Sequence, residues 1–520
     1  MRRLIVCCDG TWNSPDNKDG SLNAPTNVIK FHAEIAEKDE KGIVQIPFYR
    51  TGVGTLGGPV RKLLGGAIGY KLEDDIKSAY KFLAETWKPG DKIFLLGFSR
   101  GAYTARSVAG LIGSIGLCDL TDPDLDDETK WANVHAALVR YQLKKSSGKS
   151  MLLKREMRQG KGEISVRMHS PSQVRIRFLG VWDTVGSLGV PDDLGVTKLI
   201  IGDLRYNRFL DTHLGDTVDT ARQALALDES RIDFVPTLWT GHSSQRDIKQ
   251  VWFAGVHGDV GGSYADHSLG DITLHWMLTE AMGCGLALRS ALPAASNNNP
   301  RGRRHDSVTG IFKRRQTRPR GVPDFSAGRD DLSVISPEAL ERHRSPARGE
   351  RYYWKTMRLN DLGEKVAIQV HARECWNPSG VFVKAGEEYE ITATGEWLDA
   401  SIKAGPKGAY DSVRFAYAAA GLAETYRWIL RKIPRTKTAD NSWSRRHASA
   451  PWFSLVGVVA NGRGVSAGQD QLQHHQPVEI GSHKRLRPLR DGYLYFYAND
   501  VWASYDNNSG SLRVSIKRVL

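Results

Sequence analysis

The sequence predicts two fold classes in one chain, an α/β domain first and an all-β sandwich last. Three observations carry this. Short apolar runs alternate with helix-like stretches over residues 1–290. Residues 291–355 turn rich in arginine and proline. From 356 to 520 the runs become short and alternating, with turn residues between them. Strands separated by helices build a mostly parallel sheet covered on both faces. Evenly spaced short strands build a β-sandwich.

The composition permits both. The 520 residues are 40% hydrophobic and 25% charged, enough to bury a sizeable core and unlike a disordered chain. Lys and Arg number 72 against 58 Asp and Glu, a net charge of +14 that suits an anionic partner. No nucleic-acid motif accompanies that charge, so nucleic acid is not the expected partner. No apolar run approaches a spanning length. Asp9 ends the first apolar run too early for a Sec-type signal. Cys7, Cys8, Cys118, Cys284 and Cys375 form neither a metal pattern nor a disulfide framework, which predicts synthesis in a reducing cytoplasm.

In chain order, Arg3–Cys8 is a buried strand closed by Asp9-Gly10, and 43–48 is a second strand. Residues 65–87 read as helix, 92–96 as strand, 102–115 as a small-residue helix, and 174–182 and 251–256 as strands. Two stretches between core strands, 123–165 and 198–230, read as helical insertions, either a lid or ordinary covering helices. Between Arg301 and Arg320 lie eight basic residues and the single acid Asp306, so 291–355 is expected to be a solvated basic linker. In the last domain, GVFVKAGEEYEITATGEW supplies two runs, and WFSLVGVVA, DGYLYFYAND and GSLRVSIKRVL supply the others.

The sharpest motif is Gly97-Phe98-Ser99-Arg100-Gly101, preceded by KIFLL and followed by AYTARSVAGLIG. Those flanks place Ser99 on a strand-to-helix turn, where a nucleophile needs side-chain-free neighbours and a helix N-terminus that favours developing negative charge. A serine needs a base. His257 follows the strand VWFAGV and enters the glycine-rich turn HGDVGGSY, whereas His242 and His267 lie in weaker contexts. The orienting acid is expected to be Asp183, at the end of VRIRFLGVW, with Asp228 in LALDES as the alternative. Asp259 is expected to tie down its own turn. The oxyanion donors are expected to be the Arg100 N–H and an N–H of Gly10 or Thr11 in CDGTWN. Such a triad needs no cofactor.

CDGTWN, GFSRGAYTAR, GVWDTVGSLGVP, ALDESR and VWFAGVHGDVGGSY, in that order, resemble the α/β-hydrolase family that includes the phospholipase A-type lipase effectors of type VI secretion. The resemblance spans residues 1–290. It implies an α/β-hydrolase-like sheet with helical insertions, Ser99 as nucleophile, His257 as base and Asp183 as acid. It also implies cleavage of phospholipid acyl esters, delivery by a contact-dependent secretion machine, and an immunity protein.

YANDVWASYDNNSGSLRVSIKR resembles the calcium loop and last strand of the galactophilic bacterial lectin. That resemblance puts Asp500, Ser504, Asn507 and Asn508 on its calcium ligands and implies Ca²⁺ with a glycan ligand. Hard oxygen donors of this kind suit Ca²⁺. The lectin's His-Pro-Asp-Gln segment has no counterpart, so the sugar is open. An insertion at 410–450 contains AETYRWILRKIPRTK, an aromatic-aliphatic patch around Trp428 among basic residues, which reads either as a membrane interface or as a solvated basic loop, since Pro434 stops any long helix. The expected whole is a serine lipase with a calcium-, glycan- or membrane-targeting module. The alternatives are a calcium-dependent glycan-binding protein on an inactive hydrolase-like scaffold, and a soluble esterase or thioesterase.

Overall fold

The computed structural model describes residues 1–520 except 11–12, 14–15, 53–65, 147–150, 186–213, 240–246, 293–297, 315, 327–333, 351, 410–444, 448 and 462–474. The expected oxyanion residue Thr11, His242, the upstream half of the 198–230 insertion and the Trp428 patch lie outside the described residues.

Six strands form the first sheet: β1 (Arg3–Cys8), β2 (Gln45–Arg50), β3 (Lys92–Phe98), β4 (Ile176–Trp182), β5 (Val218–Ala226) and β6 (Asp247–Phe253). Their spatial order is β2-β1-β3-β4-β5-β6, and every pairing is parallel. Alternation along the strands sorts the core into two faces. Ile5, Cys7, Phe94 and Leu96 pack with Phe31 of α1 (Asn27–Glu34) and Met277 of α7 (Ser268–Gly283). Leu4, Val6, Ile93 and Leu95 pack against α2 (Gly66–Thr86) and α3 (Arg100–Ile115). The order reverses between β1 and β3, and the crevice beyond the carboxyl ends of those strands is where such sheets hold ligands.

The 123–165 stretch holds α4 (Asp127–Lys145) and α5 (Met151–Arg158). Val134, Ala137, Leu138 and Tyr141 of α4 join the α2–α3 face, so α4 is a covering helix. Residues 218–226 correct the helical expectation for 198–230: they form β5, buried nearly throughout. Its buried Arg222 pairs with Glu280 and Asp247, and Gln223 Nε2 donates to Thr237 O.

Residues 291–355 are not a solvated tether. Val322, Phe325, Ile335, Ala339 and Tyr353 are buried in the α1–α7 face. Ile335 bridges Trp252 of β6 in parallel, and the helix α8 (Pro337–Arg344) follows, capped by Ser336 Oγ on Ala339 N at 3.1 Å. The expectation failed because several of the segment's arginines sit on carboxylates: Arg304 on Asp228, Arg320 on Asp183 and Arg342 on Glu350.

The last region has two antiparallel sheets. In one, β7 (Lys365–His371), β9 (Tyr389–Thr394), β10 (Trp397–Asp399), β11 (Ile402–Gly405) and β14 (His483–Leu486) gather around the long β16 (Asn508–Arg518). In the other the order is β8-β15-β12-β13, from Asn377–Val383, Gly492–Ala498, Leu455–Asn461 and Gln476–Glu479. Val370, Ile391, Val459, Leu494 and Val514 from both sheets share one core. The two runs of GVFVKAGEEYEITATGEW therefore lie in different sheets. Phe382, Tyr493 and Tyr495 join the core of the first region, and Tyr493 Oη accepts a bond from Phe325 N at 3.1 Å. No helix among the described residues is long and apolar enough to cross a membrane.

Candidate active site

Ser99 sits between β3 and α3 with φ +57° and ψ −119°, a strained conformation for a side-chain-bearing residue. Its amide donates to Trp182 O at 3.0 Å, which ties the turn to the end of β4. The flanking glycines are required by contact. A Cβ on Gly97 would lie 2.4 Å from Gly101 O, and one on Gly101 would lie 2.1 Å from Cys8 O. The serine is thereby held at the edge of the crevice, about 7% exposed.

Asp183 follows β4 directly, fully buried with φ +38°. Its amide bonds Ala224 O at 2.7 Å and its Oδ1 accepts Ala226 N at 3.0 Å, so the end of β5 fixes the carboxylate. Oδ2 lies 2.6 Å from Nδ1 of His257, the first residue of the short helix α6 (His257–Gly261). The imidazole is packed between Phe98, ring centroid 4.6 Å away, and Phe234, 4.9 Å away. Phe98 directly precedes Ser99, so the ring lies beside the serine turn. Among the described residues no hydrogen bond joins Ser99 Oγ to His257.

The electrostatics follow from burial and pairing. Burial pushes the Asp183 carboxyl up, but Arg320 and His257 outweigh it and hold the group well below the usual carboxylate range. Burial lowers the His257 pKa against the opposing pull of Asp183, which favours the neutral imidazole. The alternative acid, Asp228, is engaged elsewhere: it accepts Gly255 N at 2.7 Å, Tyr353 Oη at 2.9 Å and Arg304 at 2.8 Å. Asp259 caps its own turn through Val256 N and pairs with His305 at 2.5 Å, while the exposed His267 pairs with Asp271.

The expected oxyanion donors differ in standing. Arg100 opens α3, whose N-terminus faces the turn. Gly10 abuts Ser99 so closely that a Cβ there would lie 3.2 Å from the serine Cβ. However, its N–H is committed to Asp9 Oδ1 at 2.6 Å, which corrects its expected role as donor in this arrangement. Asp9 also accepts Thr26 Oγ1 and Tyr49 Oη, and burial pushes its pKa up to about 6 against these bonds.

Three neighbours of the site escape the sequence reading. Glu229 is buried, accepts His257 N at 3.3 Å and pairs with Arg231 at 2.8 Å. Phe234 faces the imidazole. Arg320 grips Asp183. Nothing in FKRRQTRPRG separates Arg320 from its basic neighbours, since its distinction is purely spatial. A cleft of about 530 Å³ lies at the opposite end of the sheet, where Arg222 is paired to Glu280 and Asp247, and it holds none of these groups.

The loop expected to bind calcium is compact. Asp500 is buried, with Oδ1 accepting Val501 N at 2.7 Å and Oδ2 accepting Asn508 Nδ2 at 2.9 Å. Asn507 Nδ2 donates to Asp399 Oδ1 at 3.1 Å, which brings a second carboxylate beside the loop. Ser504 lies on the short helical turn Trp502–Asn507. Asn508 Oδ1 is buried with no hydrogen-bond partner among the described residues. An orphaned amide oxygen next to two carboxylates fits a hard cation. Among the described residues no cluster of three or more His, Cys, Asp or Glu side chains is placed to hold a metal, so the fit depends on amide and main-chain oxygens.

A family model described as "T6SS, Phospholipase effector Tle1-like, catalytic domain" matches residues 2–280, just over half of the chain. The uncharacterized protein YEL023C of Saccharomyces cerevisiae is 27% identical over 252 residues, covering 46% of this chain and 33% of that one. The chain thus spans about a third of the length of that curated relative. Among solved structures, an uncharacterized protein from Pseudomonas aeruginosa is similar at 16% identity and TM-score 0.30, covering 57% of this chain and 48% of its own. The Tle1 effector bound to the VgrG spike of the type 6 secretion system is similar at 17% identity and TM-score 0.31, covering 51% of each chain. The EclA N-terminal domain, a PllA-like lectin, is similar at 19% identity and TM-score 0.17, covering 29% of this chain and 94% of its own.

Proposed function

The chain belongs to the Tle1-like family of type VI secretion phospholipase effectors, and on that premise we propose that it is a serine-dependent phospholipase cleaving acyl esters of membrane lipids. One observation carries the reading: the strained Ser99 turn follows Phe98, whose ring packs on an imidazole with its Nδ1 2.6 Å from the buried Asp183 carboxylate.

In this mechanism Ser99 Oγ attacks the ester carbonyl carbon while His257 Nε2 takes its proton. The imidazolium returns that proton to the leaving alcohol, and water then hydrolyses the acyl-enzyme by the same relay. Asp183 keeps the Nδ1–H tautomer and steadies the imidazolium. The lowered pKa of His257 keeps the base neutral and ready at neutral pH. The α3 N-terminus, beginning with the Arg100 amide, stabilises the oxyanion, and one such donor typically contributes about 3–4 kcal/mol. In this reading the Ser99–His257 hydrogen bond forms when substrate binds, since catalytic hydrogen bonds are commonly long without ligand.

The C-terminal sheets serve as a targeting module in this reading. Asp500, Ser504, Asn507 and Asn508, with Asp399, would hold Ca²⁺, which would offer its open positions to sugar hydroxyls or lipid phosphate. The +14 charge draws the protein to anionic membranes. Contact-dependent delivery, a secretion-apparatus partner and an immunity protein complete the proposal, in line with the family.

The test is hydrolysis of mixed phospholipid vesicles, with and without calcium, products identified by mass. The parent chain should release fatty acid and lysophospholipid, and Ser99→Ala should release neither while keeping its thermal midpoint. Equal turnover by Ser99→Ala would remove the serine from the mechanism.

A further inference from the structure

Arg320 makes a closed two-pronged contact with Asp183. Nη1 donates to Oδ1 at 2.7 Å and Nη2 to Oδ2 at 2.9 Å, and the same two nitrogens donate to Ala226 O at 2.7 Å and Phe234 O at 2.6 Å. Both side chains are almost wholly buried. An orienting acid needs only its histidine and a few amides, so a buried guanidinium across its full face is a separate feature.

The arginine is delivered from the 291–355 segment and clamped on both sides. Toward the first region, Arg318 N bonds Ser230 O and Thr317 bridges Arg231. Toward the C-terminal sheets, Trp376 Nε1 donates to Thr317 O at 3.2 Å and His475 Nε2 donates to Pro319 O at 2.5 Å. The C-terminal region thus helps fix a side chain that touches the acid behind His257.

We infer that Arg320 is a positioning residue for the hydrolytic reaction: by holding both oxygens of Asp183 it sets the orientation of the His257 ring and limits how tightly the dyad binds a proton. This rests on the proposed hydrolase reading. Among the described residues, four charged groups face the imidazole or its acid: Asp183, Glu229, Arg231 and Arg320. Glu229 and Arg231 pair with each other, so Arg320 is the cation that offsets Asp183. Removing it strengthens the pull of Asp183 on the imidazole proton.

The test is the pH dependence of kcat/KM for a soluble short-chain ester, on the full chain, in wild type, Arg320→Lys and Arg320→Gln. The acidic limb should move to higher pH by about one unit in Arg320→Gln and by less in Arg320→Lys, with kcat reduced and KM held within about twofold. In an Asp183→Asn background, Arg320→Gln should add less than about a twofold further loss. If Arg320→Gln does not fold, Arg320→Lys and its Asp183→Asn double variant carry the same comparison. An unmoved acidic limb, or full additivity with Asp183→Asn, overturns the inference while leaving the hydrolase reading intact. Wild-type hydrolysis that does not depend on Ser99 overturns both.

Discussion

His257 Nδ1 and Asp183 Oδ2 lie 2.6 Å apart, with side chains 7% and 0% exposed, at the ends of elements 74 residues apart in sequence. The two carboxylates that could have served the imidazole are separated by this contact: Asp183 faces the ring, and Asp228 faces Arg304 and Tyr353. Replacing each by Asn should give different outcomes. Asp183→Asn should lower turnover about 10⁴-fold, as loss of the tautomer-holding acid does in serine hydrolases. Asp228→Asn should keep turnover within about tenfold and instead lower the thermal midpoint, because a buried carboxylate that accepts from Gly255 N, Tyr353 Oη and the partly exposed Arg304 is replaced. Ester hydrolysis and thermal melts on both variants distinguish the roles.

Acid should destabilise the protein through the same pair. The native Asp183 pKa is below its ordinary value, so its ionised form contributes stability above about pH 4 that is lost as pH falls. The His257 pKa is lowered from 6.5, so below that pH the unfolded chain binds a proton that the native state resists, and stability again falls as pH falls. Asp9, raised to about 6, works in the opposite direction, gaining stability as pH drops below 6, but it is common to every variant of the dyad. Between pH 7 and 5, denaturant-measured stability should fall more steeply in wild type than in His257→Asn, by up to about 1.4 kcal/mol per pH unit. Parallel curves would contradict the assigned burial of the neutral ring.

Gly101→Ala should be destabilising by about 1–3 kcal/mol or more, since the new methyl meets the backbone oxygens of Cys8 and Asp9, at 2.1 and 2.5 Å, neither of which can rotate away. Chemical denaturation measures the loss. A neutral result would mean that β1 and α3 can separate, and that the turn is less constrained than its contacts indicate.

Millimolar calcium should raise the thermal midpoint of the full chain, and Asp500→Asn or Asn508→Ala should abolish that rise. Asn508 is the sharper probe, because its Oδ1 has no partner among the described residues. A calcium shift that survives both substitutions would place the ion elsewhere.

Much of this arrangement was legible in the sequence, for identifiable reasons. β1, β3 and β4 are apolar runs, and the Gly-x-Ser-x-Gly pattern carries its own steric requirement. His257 and Asp183 were findable because each ends such a run. β5 was misread because Val218–Ala226 mixes Asp219, Arg222 and Gln223 with alanines and shows no alternation. Arg222 and Gln223 find partners in Glu280, Asp247 and Thr237, which local pattern cannot reveal. The 291–355 segment was misread for a related reason. Its arginines look like solvated charge until the carboxylates of distant strand ends are brought against them.

The most direct test of the central claim is covalent: a fluorophosphonate probe incubated with the full chain, followed by peptide mapping of the adduct. The account predicts one modified peptide, containing Ser99, labelled at a rate that falls at least about 100-fold in His257→Ala. Labelling at another residue, or an unchanged rate on Ser99 without the imidazole, would contradict it.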